Sequence, residues 1–289
     1  MVDGLIEIST LLQENNAVFI GLSVVLGLAI GSFLNVVIYR LPKMMQREWQ
    51  NNCLELQGQP IADLKQYSLV KPRSACPLCG HMISALENIP VISYVILKGQ
   101  CRTCKAPINP RYPLVEALTG ILFGIISWKF GFTTNALFAA ILTSALIALT
   151  FIDFDTQLLP DDITLPLLWI GLVFNLNTGF TDIKSAVVGA VTGYLALWLI
   201  YWLFKFVTGK EGMGYGDFKL LAAIGAWFGW QLLPAVILLS SLLGAVVGVS
   251  LIFITKRGRE IPMPFGPFLA IGGFAALFFG TQIAHSYLA

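Results

Sequence analysis

The sequence predicts an all-α polytopic membrane protein with about eight transmembrane helices and a small cysteine-containing cytoplasmic domain between the first and the second. Hydrophobic residues occupy 56% of the 289 positions and charged residues only 12%. This balance and a mean hydropathy of +0.77 indicate that lipid is the main solvent. The apolar residues form long runs, whereas four cysteines lie together in the longest polar stretch.

The length of an apolar run indicates whether it can cross the membrane, since an α-helix rising about 1.5 Å per residue needs roughly 20 residues to cross a hydrocarbon core of about 30 Å. Three runs are short for a full crossing. Trp227 and Trp230 indicate an interfacial turn between the sixth and the seventh. The predicted spans are 17–39, 113–129, 134–152, 164–177, 183–207, 218–230, 231–254 and 266–284.

Basic residues test the orientation of these spans. With the N-terminus in the periplasm, segments 40–112, 153–163, 208–217 and 255–265 face the cytoplasm and contain fourteen of the eighteen Lys and Arg residues. Lys205 and Lys219 lie at the cytoplasmic ends of the adjoining spans, so sixteen of the eighteen fall on that side. A net charge of +2 and the absence of a basic, aromatic-rich run argue against nucleic acid as a partner. Because no basic residue precedes Arg40, we expect the first span to be retained rather than cleaved as a signal peptide.

Three parts of the chain are therefore predicted: an N-terminal segment with the first span (1–39), a cytoplasmic domain (40–112) and a membrane domain (113–289). Small residues spaced four apart within the spans predict close helix packing. The pairs are Gly27 with Gly31, Gly189 with Gly193, and Gly244 with Gly248.

The cytoplasmic domain contains two C-x2-C pairs, Cys76 with Cys79 and Cys101 with Cys104, separated by 21 residues. Two such turns can hold one zinc ion in a closed tetrahedral site, which stabilises a fold but leaves no open position for catalysis. Two disulfides or four free thiols are the alternatives, which a reducing cytoplasm and the paired spacing disfavour. The nearby His81 could replace one thiolate.

Acidic residues at the margins of the spans are the candidates for chemistry, because charge is costly there. Asp153, Asp155, Asp161 and Asp162 lie between the third and fourth spans, and Asp217 follows a glycine-rich segment before the sixth. Two carboxyl groups held together can act as acid and base in peptide hydrolysis. Solvated helix ends, an ion or proton pathway, and a zinc-containing scaffold without chemistry remain alternatives.

The sequence closely resembles the type IV prepilin leader peptidases, which are bifunctional enzymes of the bacterial inner membrane and GxGD aspartic proteases. The resemblance covers nearly the whole chain. It rests on Gly31-Ser-Phe-Leu-Asn-Val-Val-Ile-Tyr-Arg40-Leu-Pro, the Cys76-Pro-Leu-Cys-Gly-His81 segment, Glu87-Asn-Ile-Pro90, Arg111-Tyr-Pro-Leu-Val-Glu116, Leu159-Pro-Asp161, Gly212 to Lys219, and Pro264-Phe-Gly-Pro267.

The resemblance implies that Asp153 and Asp217 are the catalytic pair, that Asp161 shapes its loop and that Glu116 stabilises the entry of the second span. It also implies cleavage of type IV prepilins and type II secretion pseudopilins after a leader glycine. Methylation of the new N-terminal residue, usually phenylalanine, would follow, with S-adenosylmethionine as donor. The residues that bind this donor are unknown, although Lys98-Gly-Gln-Cys101 is a candidate neighbour; the particular pilins and the oligomeric state stay open.

Overall fold

The computed structural model of the chain describes residues 12–59, 67–177, 179–255 and 263–288. These residues are predominantly helical, and within them the extended pairings are the isolated bridges Ala75–Met82 and Gln100–Pro107. Short 3-10 turns cover Leu86–Asn88 and Trp230–Leu232. The α-helices are α1 (Asn16–Leu56), α2 (Ile92–Ile96), α3 (Arg111–Phe130), α4 (Thr134–Thr156), α5 (Asp161–Phe174), α6 (Ile183–Thr208), α7 (Tyr215–Phe228), α8 (Leu233–Thr255) and α9 (Gly266–Leu288).

Within the described ranges, six segments are long and apolar enough to cross a membrane, in α1, α3, α4, α6, α8 with the turn before it, and α9. The predicted multi-span helical architecture is therefore confirmed. Helices α5 and α7 have 14 residues each, a length of about 21 Å at 1.5 Å per residue. That length is shorter than the hydrocarbon core, so the count of eight full crossings stays a prediction.

The chain divides into two compact units, Met1–Ala148 and Leu149–Ala289, with the boundary inside α4. In the first unit α1 does not end near residue 39, where the apolar run stops, but continues through Pro42 to Leu56. The first unit is built on the packing of α1 against α3. A Cβ on Gly27 would lie 2.8 Å from Cβ of Phe123, which confirms the predicted close approach of this glycine pair.

The second unit is arranged around α7, which packs against α5, α6 and α9. Every residue from Leu220 to Phe228 is buried. A Cβ on Gly189 of α6 would collide with the carbonyl oxygen of Gly225, and a Cβ on Gly193 would lie 2.7 Å from that of Leu221. The two glycines therefore allow the backbones of α6 and α7 to touch, as their spacing predicts.

The C-terminal end of α7 is held by side chains of the α5 region. Asn175 donates from Nδ2 to the carbonyl oxygens of Ala226 at 2.7 Å and Trp227 at 3.0 Å. The indole N–H of Trp227 donates to the carbonyl of Leu167 at 2.8 Å. Since the last carbonyls of a helix have no partner within it, the two Asn175 bonds satisfy a buried helix end, whereas the Trp227 bond ties α7 to the middle of α5. The chain then turns at Trp230–Leu232, where the tryptophans predict a turn.

Candidate active site and metal centre

Asp153 lies in the last turn of α4, with only 4% of its surface exposed. The backbone N–H of Gly266, the first residue of α9, donates to its Oδ2 at 2.9 Å. A Cβ on Gly266 would lie 2.7 Å from the same oxygen. The carboxyl group is thus held by a main-chain donor that only a residue without a side chain can bring so close.

Asp217 lies in the first turn of α7 and is 7% exposed. Gly214 precedes the helix as its N-cap in an extended conformation. A Cβ on Gly216 would lie 2.7 Å from Cβ of Leu159. The glycine next to Asp217 therefore lets the start of α7 lie directly against the loop that follows α4.

Leu159 lies between the segments that position the two aspartates. Its side chain lies next to Gly216, and its Cδ2 would lie 3.1 Å from a Cβ on Gly266. The structure therefore brings these two candidates into one buried site within the second unit, formed by the end of α4, the start of α7 and the start of α9.

The other three aspartates are on the surface. Asp155 and Asp162 are exposed, whereas Asp161 accepts bonds from Nζ of Lys219 at 2.7 Å to each of its carboxylate oxygens. Since Lys219 is on the first turns of α7, this ion pair fastens the start of α5 close to Asp217. Asp161 does therefore contribute to the loop, as the resemblance implies. Sequence reasoning did not identify its lysine partner.

The four cysteines of the first unit lie together. Their Sγ atoms are all within 4.8 Å of one another, with 3.8 Å between Cys76 and Cys104 and 3.9 Å between Cys79 and Cys101. A tetrahedral site with zinc–sulfur bonds of about 2.3 Å has sulfurs about 3.8 Å apart. The four thiols therefore fit a single zinc ion.

The two C-x2-C turns have the same backbone hydrogen bonds. The N–H of Cys76 donates to the carbonyl of His81, and that of Cys101 to the carbonyl of Ala106. Each turn is closed by a residue with positive φ, Gly80 in the first and Lys105 in the second. The backbone N–H groups of Cys79 and Leu78 lower the pKa of the Cys76 thiol to about 6, whereas the pKa of the Cys79 thiol is raised.

His81 is not part of the cysteine cluster. Its Nε2 lies 3.2 Å from Oε2 of Glu87, which also accepts bonds from the backbone N–H and hydroxyl of Ser84, both at 2.9 Å. These bonds, led by the backbone one, lower the pKa of Glu87 to about 2. Arg102, from the second turn, lies 3.7 Å from the same carboxylate. Glu87 thus links the two turns, and His81 supports them rather than replacing a thiolate.

Glu116, near the start of α3, is buried and accepts a bond at 2.8 Å from the backbone N–H of Val91. Asn35 of α1 donates to the carbonyl of Tyr112 at 3.0 Å. The Glu116 bond fastens the segment after Pro90 to the start of α3, which agrees with the role that the resemblance implies for Glu116, and the Asn35 bond fastens α1 to the same helix start.

Comparison with known proteins shows which family the chain is similar to. Residues 25–130 match the bacterial peptidase A24 N-terminal domain, and residues 140–249, which include both buried aspartates, match the type IV leader peptidase family. The chain is 54% identical over 280 residues to a prepilin leader peptidase/N-methyltransferase of Stutzerimonas stutzeri, with 96% of each chain covered. The chain belongs to the type IV leader peptidase family.

Two further relatives carry the same name. The protein of Pseudomonas aeruginosa is 53% identical over 278 residues, again with 96% of each chain covered. That of Aeromonas hydrophila is 55% identical over 263 residues, with 90% of this chain and 91% of the relative covered. No solved structure matches the chain.

Two contributors to the buried site were missed by sequence reasoning: the backbone N–H of Gly266 and the side chain of Leu159. Both lie in motifs that carry the family resemblance, Pro264-Phe-Gly-Pro267 and Leu159-Pro-Asp161. Neither has an ionisable side chain, so a search for acid and base groups passes over them. The two motifs are the sequence feature from which these contributors could have been identified.

Proposed function

We propose that this chain is a prepilin leader peptidase and N-methyltransferase, with Asp153 and Asp217 as its catalytic pair. The proposal rests mainly on one observation: two buried carboxyl groups lie in one site next to Leu159 and Gly266. Both aspartates are within the residues that match the peptidase family. The proposed substrates are type IV prepilins and type II secretion pseudopilins, cleaved after the last glycine of a leader in the cytoplasm.

In the proposed reaction one carboxylate removes a proton from water, and the resulting hydroxide attacks the carbonyl carbon of the scissile bond. The other carboxyl group, protonated, donates a hydrogen bond to the carbonyl oxygen. Collapse of the tetrahedral intermediate breaks the carbon–nitrogen bond, and the departing amine takes up a proton from the aspartate pair. Asp161 and Lys219 position the start of α7 but do not touch the reacting atoms.

S-adenosylmethionine would supply the methyl group for the amine released by cleavage. We assign no residue to this donor. The four cysteines of the first unit would hold a structural zinc ion, which cross-links the two C-x2-C turns and leaves no coordination position for a substrate. The placement of the catalytic face in the cytoplasm of the inner membrane, with the N-terminus in the periplasm, is part of the proposal and is supported by the distribution of the basic residues.

An ion or proton pathway has less support. Asp153 lies in the last turn of α4 and Asp217 in the first turn of α7, whereas transporter sites are formed near the middle of the bilayer at interrupted helices.

The peptidase assignment is tested by replacing each aspartate with asparagine, which keeps the size of the side chain and removes its acid–base chemistry. We expect Asp153→Asn and Asp217→Asn each to lower the rate of leader removal from a synthetic prepilin by at least about 10³-fold. The rate is measured on purified protein in detergent, and a thermal unfolding curve checks that each variant is folded. Asp162→Asn, on the exposed start of α5, is the matched control and should cleave at the normal rate.

Retained cleavage in both single variants would overturn the assignment of the pair. Digestion of the same prepilin with and without S-adenosylmethionine, followed by mass spectrometry of the new N-terminus, tests the second activity. We expect one added methyl group only when the donor is present. An unmodified N-terminus under both conditions would contradict the methyltransferase assignment while leaving the peptidase intact.

A further inference from the structure

The second unit contains a cavity of about 310 Å³ that is lined in part by the segments leading into α7 and α9. Its wall is apolar, with Ser241 as the polar side chain among the lining residues and no charged group. It is formed by α6, α8 and the segments that lead into α7 and α9. Representative lining residues are Ile200, Met213, Ile237, Gly244, Phe265 and Phe268.

Two of these lining residues connect the cavity to the candidate active site. Phe265 immediately precedes Gly266, whose N–H holds Asp153. Met213 lies in the glycine-rich segment that ends at Asp217. The cavity is therefore continuous with the backbone that positions both carboxyl groups, although neither aspartate lines it.

Gly244, of the third pair of small residues, differs from the glycines of the other two pairs. Gly189 and Gly193 are pressed against the backbone of α7, but a Cβ on Gly244 would lie 3.4 Å from the ring of Phe268, an ordinary contact. Close helix packing does not require a glycine there. Instead, the missing side chain leaves room in the cavity wall.

We propose that this cavity binds the first apolar side chain that follows the scissile bond of the substrate. The inference rests on the proposed peptidase function. An apolar cavity of about 150 Å³ is large enough to hold a benzene ring, so this one accommodates an aromatic or branched aliphatic side chain. Met213 and Met263 line it, and methionine adapts its shape to different apolar groups.

The apolar wall of the cavity indicates which side of the scissile bond it binds. A basic leader would have to place charge in an uncharged, apolar cavity, which is unfavourable. The cavity also extends along α6 from Ile200 to Leu197 and along α8 from Ala245 to Ile237, away from the helix ends that carry the aspartates. The membrane-embedded part of a substrate lies in that direction, and its apolar side chains gain free energy on leaving water.

The test compares two synthetic prepilins that differ only in the residue after the scissile bond, phenylalanine in one and alanine in the other. Gly244→Leu fills the cavity, and Val246→Leu adds the same residue on an exposed face of the same helix. We expect the wild type to prefer the phenylalanine substrate, by roughly tenfold or more in kcat/KM. Gly244→Leu should abolish this preference by slowing the phenylalanine substrate alone, whereas Val246→Leu should preserve it.

Gly244→Ala guards against a folding defect, because its methyl group meets only an ordinary contact; it should reduce the preference by a smaller factor at an unchanged melting temperature. An equal loss for both substrates in Gly244→Leu and Gly244→Ala would overturn the proposal and indicate a structural cavity or one filled by a lipid chain. An unchanged preference in both variants would overturn it as well. If the wild type cleaves neither prepilin, the proposed function itself fails.

Discussion

At the scale of the single residue, Gly266 contributes to the site through its backbone alone. Its N–H holds Oδ2 of Asp153 at 2.9 Å, and a methyl group at this position would lie 2.7 Å from that oxygen. Gly266→Ala must therefore move the carboxyl group and weaken the bond. A hydrogen bond to a charged group contributes about 1.5–3 kcal/mol, so we expect the cleavage rate to fall roughly 10- to 150-fold.

The rate is measured on the same synthetic prepilin in detergent. Gly21→Ala in α1 is a suitable control, since nothing lies within 4 Å of the added methyl group, and it should cleave normally. A normal rate in Gly266→Ala would show that this main-chain bond does not position Asp153.

An acidic residue at the margin of an apolar run is conspicuous, so the sequence draws attention to five aspartates, and the family resemblance selects Asp153 and Asp217 among them. The sequence does not predict their common setting. Leu159 is one of many leucines, and its position between Gly216 and Gly266 depends on how three distant segments pack. Likewise, Lys219 is one of eighteen basic residues, and its pairing with Asp161 is a contact that sequence spacing alone does not reveal.

At the scale of the helix, the contact between α6 and α7 depends on glycines. A side chain on Gly189 would meet the carbonyl of Gly225, and one on Gly193 that of Leu221. Excess volume in a packed contact typically costs about 1–3 kcal/mol. We expect Gly189→Leu to lose at least this much, seen as a lower midpoint of thermal unfolding in detergent.

Val187→Leu provides the comparison, because Val187 is on an exposed face of the same helix and should leave the midpoint unchanged. Equal midpoints for the Gly189 variant and the wild type would mean that α6 and α7 can separate without loss of stability.

Helix bounds follow the apolar runs closely where lipid and helix end together, as for α3, predicted at 113–129 and observed at Arg111–Phe130. They fail for α1, which continues to Leu56. Hydropathy reports where a helix leaves the apolar layer, not where its hydrogen bonds stop. Arg40 illustrates this: it is buried and donates to the carbonyls of Ser68 and Leu69, so protein contacts continue beyond the predicted span.

At the scale of the whole molecule, the polar stretch between α1 and α3 has a cluster of four free cysteines in place of a large apolar core. Its side chains are mostly exposed or half-buried, and a metal ion would supply folding free energy that burial does not. We expect purified protein to contain about one zinc per chain. Removal by a chelator should open trypsin sites at Arg73, Lys98 and Arg102 while the helices of the second unit stay protected.

Cys101→Ser should reproduce the effect of the chelator, and Cys53→Ser should not, because Cys53 is outside the cluster. Metal analysis and peptide mapping report the two outcomes. Active protein without zinc, or equal trypsin protection with and without the chelator, would contradict a structural metal site.

The clustering of the four cysteines is predictable from their spacing, but the repetition between the two turns is not. The two C-x2-C turns share their hydrogen bonds and their positive-φ position. Gly80 suits that conformation, whereas Lys105 occupies it at a steric cost. The lysine conceals the equivalence, because a search for a second glycine after the second cysteine pair finds none.

The burial of α7 bears on how the bilayer can influence catalysis. Its residues from Leu220 to Phe228 are covered by the neighbouring helices, so this stretch of the helix that carries Asp217 exposes no side to acyl chains. Lipid thickness and composition act directly on α6 and α9, which have exposed apolar side chains. A change in lipid thickness or composition therefore affects Asp217 only indirectly, through a shift of α6 or α9.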